Sequence, residues 1–258
     1  MDARIKFLRG LEPKSVGQAS YLAILEAAAG LFQQFPPEAI TLRDILGLSG
    51  VSNQTLYNYF PAGRDDVVIA LFDRFQQGIV LAFRAHVQAL AWESHPDPHQ
   101  VTRALAAALA RATFGPLKDN LRLQSAVYGY LRAHRLGSPV PHTLELEETL
   151  HDQILLRYGG QFSKPKVPQT VKVGVRIVHT LAEMAATHPE LSLDHLESST
   201  RKLLRALLEA GLHGTHAASG DHAFLPDDAI STTIVGAPIS PAKRETILAR
   251  ILKRRPRD

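Results

Sequence analysis

Apolar residues recur every three or four positions along most of this chain, which is the spacing of one face of an α-helix. The pattern predicts a helix over 20–35, two short helices within 41–60, and a long helix from about residue 64 to Trp92. Proline and glycine clusters then separate five further predicted helices, over 99–114, 117–135, 141–158, 167–187 and 193–212. Because no long stretch alternates with period two, the predicted fold class is all-α.

The segment TLRDILGLSGVSNQTLYNYF (41–60) has the pattern of two short helices joined by a tight turn. Gly50 can adopt positive φ at the turn, and Ser52 is a suitable N-cap for the second helix. Leu56 and Phe60, four residues apart, place the inner face of that helix on the core. Its outer face then carries polar groups suited to base edges and phosphates, which predicts a helix-turn-helix with 53–60 as the reading helix.

This segment and its flanks resemble the DNA-binding region of TetR-type transcriptional regulators. The matching residues are Ile45, Gly50, Val51, Ser52, Thr55, Leu56, Tyr57, Tyr59 and Phe60, and ILEAAAGLF (24–32) is similar to the first helix of the family. The resemblance covers about residues 18–80. Three features depart from the family pattern: Pro36-Pro37 is expected to stop the first helix in place of a glycine, Leu46 and Ser49 replace small alanines, and Arg64 stands nearest the place where the family carries a lysine.

The resemblance and the polar outer face together predict a set of DNA-contacting residues. The amide of Asn or Gln can form two hydrogen bonds with adenine, and a Thr methyl can contact the thymine methyl. By resemblance, the tyrosines of the reading helix and Arg64 contact phosphates. The predicted set is Thr41, Arg43, Ser52, Asn53, Gln54, Thr55, Tyr57, Asn58, Tyr59 and Arg64.

Charge changes the picture of how such a protein would hold DNA. The 258 residues carry a formal net charge of +4, but residues 241–258 alone carry +5, so residues 1–240 sum to −1. The reading helix has no charged residue. We therefore expect affinity to depend on two copies bound to a palindrome, with help from basic residues of an arm at 1–17. The chain has no cysteine, which excludes disulfides and thiolate metal sites.

The predicted organisation is a basic arm (1–17), a helix-turn-helix domain (18–64), a larger helical domain (65–213), and an irregular linker with a short basic helix (214–258). Resemblance implies that the larger domain binds a small-molecule effector and forms a homodimer through helices near 167–187 and 193–212. Polar and aromatic residues on otherwise apolar helices are the candidates for the effector pocket: Trp92, Phe114, Tyr128, His134, Tyr158 and His179.

These features predict a cytoplasmic, homodimeric TetR-type regulator, a repressor that an effector releases from its palindromic double-stranded DNA operator. No catalytic residue, metal site or cofactor is predicted, and no segment is apolar enough to span a membrane. One alternative is an all-α small-molecule carrier or enzyme, although the chain lacks a nucleophile elbow, a P-loop, a dinucleotide fingerprint and HExxH. Another is a regulator that acts through protein contacts of its C-terminal tail.

Overall fold

The computed structural model describes residues 16–90, 97–136, 141–158, 167–188 and 190–212. These residues form nine α-helices and contain no β-strand, which confirms the all-α prediction. The helices are α1 (Val16–Phe32), α2 (Leu42–Ser49), α3 (Asn53–Tyr59), α4 (Arg64–Ala89), α5 (Pro98–Asp119), α6 (Leu121–Ala133), α7 (Pro141–Tyr158), α8 (Val167–Thr187) and α9 (Leu193–Gly211). A short 3-10 turn (Pro37–Ala39) precedes α2.

Packing divides the described residues into two compact units, 16–74 with 120–136 and 75–119 with 141–212. The first unit therefore includes residues 65–74 and helix α6, which the sequence analysis placed in the second domain. The predicted arm lies outside the described residues except for residues 16 and 17, which begin α1. The predicted linker and basic helix at 214–258 also lie outside the described part of the chain.

The core of the first unit forms around α1, which packs against α2, α3 and α6. Ile24, Leu25 and Phe32 are buried on its inner face, opposite Leu56 and Phe60 of the helix-turn-helix. Burying each such side chain contributes on the order of 1.5–3 kcal/mol. This burial fixes α3 against α1 and leaves the other face of α3 in solvent.

The second unit is a bundle in which α5 packs against α7, α8 and α9. Its core takes the apolar faces of all four helices together with residues 79–87 of α4. The stripe on α8 that includes Val171, Val175 and Val178 is buried in this core. This face of α8 therefore packs within the subunit.

Several helix limits differ from the predicted ones. The first helix ends at Phe32, before the proline pair that was expected to stop it. Helix α4 ends at Ala89, and Trp92 lies outside the described residues. The Gly-Pro pair at 115–116 does not break α5, because a proline removes one helical hydrogen bond while buried neighbours such as Phe114 and Leu117 hold both sides of it in the core. Among the described residues, no helix has the length and apolar content needed to cross a membrane.

Candidate nucleic-acid interface

Helix α2 begins at a reciprocal capping box that Thr41 forms with Asp44. The Asp44 backbone N–H donates to Thr41 Oγ1 at 3.3 Å, and the Thr41 backbone N–H donates to Asp44 Oδ2 at 3.0 Å. The Thr41 hydroxyl also donates to the same carboxylate oxygen at 2.6 Å. Each bond satisfies a polar group that would otherwise be left open at the helix start. Thr41, a predicted DNA contact, is thus half-buried, and its hydroxyl is already engaged in capping α2.

The turn between α2 and α3 depends on Gly50 and Ser52. Gly50 has φ 72° and ψ 8°, the left-handed conformation expected of a helix-ending glycine, and its N–H donates to the Leu46 carbonyl. Ser52 Oγ accepts the Thr55 N–H at 3.1 Å and lies 2.8 Å from Thr55 Oγ1. The predicted turn glycine and the predicted N-cap are both confirmed.

Helix α3 presents a polar, uncharged face to solvent. Its inner residues Leu56 and Phe60 are fully buried, as predicted. The exposed residues are Asn53, Gln54, Tyr57 and Asn58, and the Tyr57 side chain is 45% exposed. Thr55 is half-buried because its hydroxyl meets Ser52. Arg43 is exposed and is the one basic residue of α2, the helix that precedes α3.

Tyr59 differs from Tyr57 in its surroundings. Its ring lies 6.0 Å from the Tyr21 ring, edge to face, and 6.4 Å from Phe60. The Tyr21 ring in turn stacks on Phe60 at 5.4 Å. Burial, reinforced by the charge of Asp73, raises the pKa of Tyr21 to about 12. Tyr59 is half-buried as the rim of this aromatic cluster, so packing accounts for its ring whether or not its hydroxyl reaches DNA.

Arg64, predicted to grip phosphate, makes contacts inside the protein. Its Nη1 donates to the carbonyl oxygens of Pro37, Glu38 and Ile40, at 3.0, 3.2 and 2.9 Å. Its Nε donates to the Tyr130 hydroxyl at 3.1 Å. The side chain thus joins the start of α4 to the turn before α2 and to α6. This geometry differs from the free guanidinium that a phosphate contact was expected to offer.

The described residues of the predicted effector pocket are divided between the two units. Tyr128 and His134 belong to the first unit, where Tyr128 packs edge-on against Phe72 at 5.2 Å and His134 is exposed. Phe114, Tyr158 and His179 belong to the second unit, and Phe114 is fully buried. The residue types along a helix do not show which unit each of its faces joins, so the sequence alone could not divide the set in this way.

Burial also perturbs the pKa of His179. It lies on α8, its Nε2 makes no hydrogen bond within the described residues, and burial lowers its pKa to about 4. The imidazole is therefore neutral at pH 7. A cavity of about 10 Å³ lies elsewhere in the same unit between Leu105, Leu150, Gly174 and Leu204. It has room for about one water molecule.

Helices α8 and α9 also carry apolar side chains on their exposed faces. On α8 these are Val173, Ile177, Leu181 and Met184, spaced at i, i+4, i+8 and i+11. On α9 they are Leu196, Leu203 and Leu207, with Leu203 51% exposed, whereas Thr200, Leu204 and Leu208 face the core. Both stripes lie opposite the buried faces of their helices, and the valine-rich buried face of α8 gives the stronger periodic signal in the sequence.

Two further residues escaped the sequence analysis. Tyr130, 66 positions after Arg64, binds both Arg64 and Asp65 through its hydroxyl. Asp65 lies in the first turn of α4, next to Arg64. No local signal connects residues so far apart in sequence, and only the tertiary fold brings them together.

A capped two-helix motif packed on a third helix, with an outward polar helix and a second helical unit, defines a DNA-binding protein of the helix-turn-helix class. Residues 24–71 match the family described as bacterial regulatory proteins, tetR family. Residues 24–71 thus form a DNA-binding domain of this family, and the described part of the chain has the fold of TetR-family transcriptional regulators.

Solved structures agree with this assignment at the level of the fold. A TetR-family transcriptional regulator from Pectobacterium atrosepticum is 13% identical, with a TM-score of 0.60 over 79% of this chain and 100% of that chain. A putative TetR-family regulator from Syntrophomonas wolfei is 17% identical, with a TM-score of 0.55 over 77% and 98%. One from Rhodococcus sp. is 16% identical, with a TM-score of 0.55 over 74% and 99%. No curated protein matches the sequence.

Proposed function

We propose that this protein is a cytoplasmic, homodimeric repressor that binds a palindromic operator and leaves it when a small-molecule effector binds. The observation that carries the proposal is the outward face of α3. A helix whose inner side is sealed by Leu56 and Phe60 and whose N-terminus is capped by Ser52 is held rigidly. The polar groups on its outer face are therefore oriented before any DNA arrives.

The exposed side chains divide into two roles. Asn53 and Gln54 stand near the N-terminal end of α3, where a recognition helix meets base edges, and their amides match the donor–acceptor pair of adenine. Tyr57 and Asn58 offer uncharged donors to phosphates. Arg43 adds a cation, and the hydroxyls of Thr41, Ser52 and Thr55 and that of Tyr59 lie at the rim of the same motif.

Dimerisation is supported by the exposed apolar stripes of α8 and α9. Within the second unit the two helices pack side by side, and the Leu207 side chain approaches Gly174. Val173 and Leu203 would leave water if the same face of a second copy covered them. A two-fold axis through this face would bury both stripes on both subunits and present two reading helices. Successive major-groove half-sites lie about 34 Å apart.

Effector response is assigned to the second unit, with His179 as its most informative residue. A neutral imidazole with a buried Nε2 that lacks a hydrogen bond is a group that a polar ligand atom could satisfy. An effector bound beside His179 would favour the conformation that admits it. Release from the operator then requires that this conformation bind DNA more weakly.

The test is direct binding to duplex DNA. The purified protein should bind a duplex from its own upstream region with an affinity that falls steeply between 50 and 200 mM salt, and bind a random duplex of equal length at least about 1000-fold more weakly. Sedimentation should give one dimer per operator duplex. Equal affinity for both duplexes at all salt concentrations would contradict the proposal.

A further inference from the structure

The Arg64 side chain is engaged by backbone that leads directly into the helix-turn-helix. The three carbonyls that its Nη1 reaches belong to the 3-10 turn (Pro37–Ala39) and to Ile40, the residue before the N-cap Thr41. A charged donor shared among carbonyls forms stronger bonds than a neutral one. These bonds fix the segment from which α2 starts.

Tyr130 holds Arg64 in place from the other side. The Tyr130 residue is 2% exposed, and its ring lies 5.4 Å beneath the Arg64 guanidinium carbon. Its hydroxyl accepts from Arg64 Nε at 3.1 Å and donates to Asp65 Oδ1 at 2.6 Å. The exposed His134 ring stacks on the same tyrosine at 4.0 Å. A phenol that both accepts and donates orients the guanidinium and the carboxylate at once.

We propose that Arg64 and Tyr130 are positioning residues for DNA binding: together they hold the turn at 37–40, and through it α2, in the arrangement that α3 needs to enter the groove. This inference rests on the proposed function. Arg64 acts through the backbone carbonyls and not through a phosphate. All of the groups involved lie in the first unit.

The competing role is the phosphate contact expected from the sequence, and the two roles differ in their salt dependence. Losing one phosphate contact lowers the slope of log K against log salt by about 0.9, whereas losing a positioning contact leaves the slope unchanged. They also differ in what lysine can replace. Lysine keeps the charge for a phosphate but cannot reproduce the planar fork that spans Tyr130 and the carbonyls.

The experiment compares the full-length wild type with Tyr130→Phe, Arg64→Lys and Arg64→Gln on the upstream-region duplex at four salt concentrations from 50 to 200 mM. Circular dichroism is first used to choose a temperature at which every variant is folded. We expect Tyr130→Phe to weaken binding about 3- to 10-fold, Arg64→Lys and Arg64→Gln more, and all with the slope of the wild type. Arg122→Gln, which removes an exposed arginine of α6, is the matched control and should stay within about twofold.

A second readout follows the turn itself. Amide hydrogen exchange should be faster at residues 39–44 in Tyr130→Phe than in the wild type, and unchanged at α3 residues whose N–H groups bond within that helix. A merely stabilising pair would lower the melting temperature and leave the affinity of the folded protein as it was.

Two outcomes would overturn the inference while the proposed function stands. One is wild-type affinity in both Tyr130→Phe and Arg64→Lys, which would return Arg64 to phosphate binding. The other is a slope reduced by about 0.9 in Arg64→Gln. A wild type that binds the upstream-region duplex no better than a random duplex would instead contradict the proposed function, and that result is read before any variant is compared.

Discussion

The two solvent-facing surfaces of interest in this protein are of opposite kinds. The outer face of α3 consists of amides, hydroxyls and a phenol, and it is fully compatible with water. The outer faces of α8 and α9 consist of aliphatic side chains, of which Leu203, Val173 and Met184 are well exposed in the single chain. A polar face can remain solvated until a partner arrives, whereas an apolar face gains free energy whenever it is covered.

This difference indicates how permanent each contact is. A polar face suits a partner that is bound and released, because its groups exchange water for base or phosphate at little net gain per bond. An apolar face suits a partner that stays, as in permanent homodimers. Under the proposed function, the first unit would therefore carry a transient interface and the second a lasting one.

The largest expected effect comes from placing a charge in the apolar stripe. Leu203→Glu would bury a carboxylate without a partner if α9 lies in a dimer interface, and such burial is strongly unfavourable. We expect dissociation to a monomer in sedimentation experiments and a loss of operator affinity of about 100-fold or more, since each half-site must then be bound separately.

The control for that substitution is chemically identical. Leu156, on α7, is the most exposed of the large apolar side chains at 67%. Leu156→Glu should leave both the dimer and the operator affinity unchanged. If Leu156→Glu dissociates the protein and Leu203→Glu does not, the interface lies on α7 and the assignment to α8 and α9 is wrong.

The second prediction concerns the hydrogen bonding of one buried polar group in each unit. Asp44 in the first unit is buried but hydrogen-bonded to Thr41, whereas His179 Nε2 in the second has no hydrogen bond within the described residues. Burial lowers the pKa of His179 to about 4 in the folded state, below its value of about 6.5 when unfolded. The unfolded chain therefore binds more protons between these two values, and stability is lost as the pH falls from about 6.5 to 4.

The measurement is chemical unfolding of the wild type and of His179→Leu at matched protein concentration from pH 7 to pH 4. The free energy of unfolding of the wild type should fall by up to about 3 kcal/mol more than that of the variant over this interval. The comparison isolates His179 because all other titrating groups are common to both proteins. Parallel stability curves for the two proteins would show that His179 keeps its ordinary pKa in the folded state.

The third prediction separates base recognition from phosphate contact on α3. Gln54→Ala should cost about 1–3 kcal/mol at its best operator base pair and should relax the preference there. Tyr57→Phe should weaken binding to all sequences by a similar, smaller factor, since a phosphate contact carries no sequence information. Affinities for a panel of single-base-pair operator variants give both results. A uniform loss for Gln54→Ala would remove it from the base-reading set.

How far the sequence could predict these two surfaces depends on how local their causes are. Gly50, Ser52, Leu56 and Phe60 each act on a partner no more than four residues away, so caps, a turn and a helical period sufficed to predict the motif. The course of α5 through Pro116 could not be predicted, because burial of its neighbours outweighs the lost hydrogen bond.

The same reasoning explains the failures at longer range. An amphipathic helix such as α8 has two apolar stripes, and only the positions of its neighbours decide which one enters the core. Arg64 looked free because its partners Pro37, Ile40 and Tyr130 lie 24 to 66 positions away. The scattered pocket candidates were divided between units for the same reason. A sequence pattern shows which faces of a helix are apolar enough to be buried. The tertiary fold determines which other element each of these faces packs against.

The smallest predicted effect tests the local backbone rules from which the helix-turn-helix of the first unit was predicted. Gly47 and Gly50 lie three residues apart, and in neither would an added Cβ meet another atom within 4 Å. Gly47 lies inside α2, so Gly47→Ala should stabilise the protein by about 0.5–1 kcal/mol by removing a flexible residue from a helix. Gly50 has φ 72°, so Gly50→Ala should destabilise it by about 1 kcal/mol, because the left-handed conformation strains any residue with a Cβ. Thermal unfolding of the two variants measures the change in stability caused by each substitution. Since the added Cβ has equal space at both sites, changes of opposite sign would identify backbone conformation as the cause. Two changes of the same sign would mean that the turn between α2 and α3 is not held by Gly50.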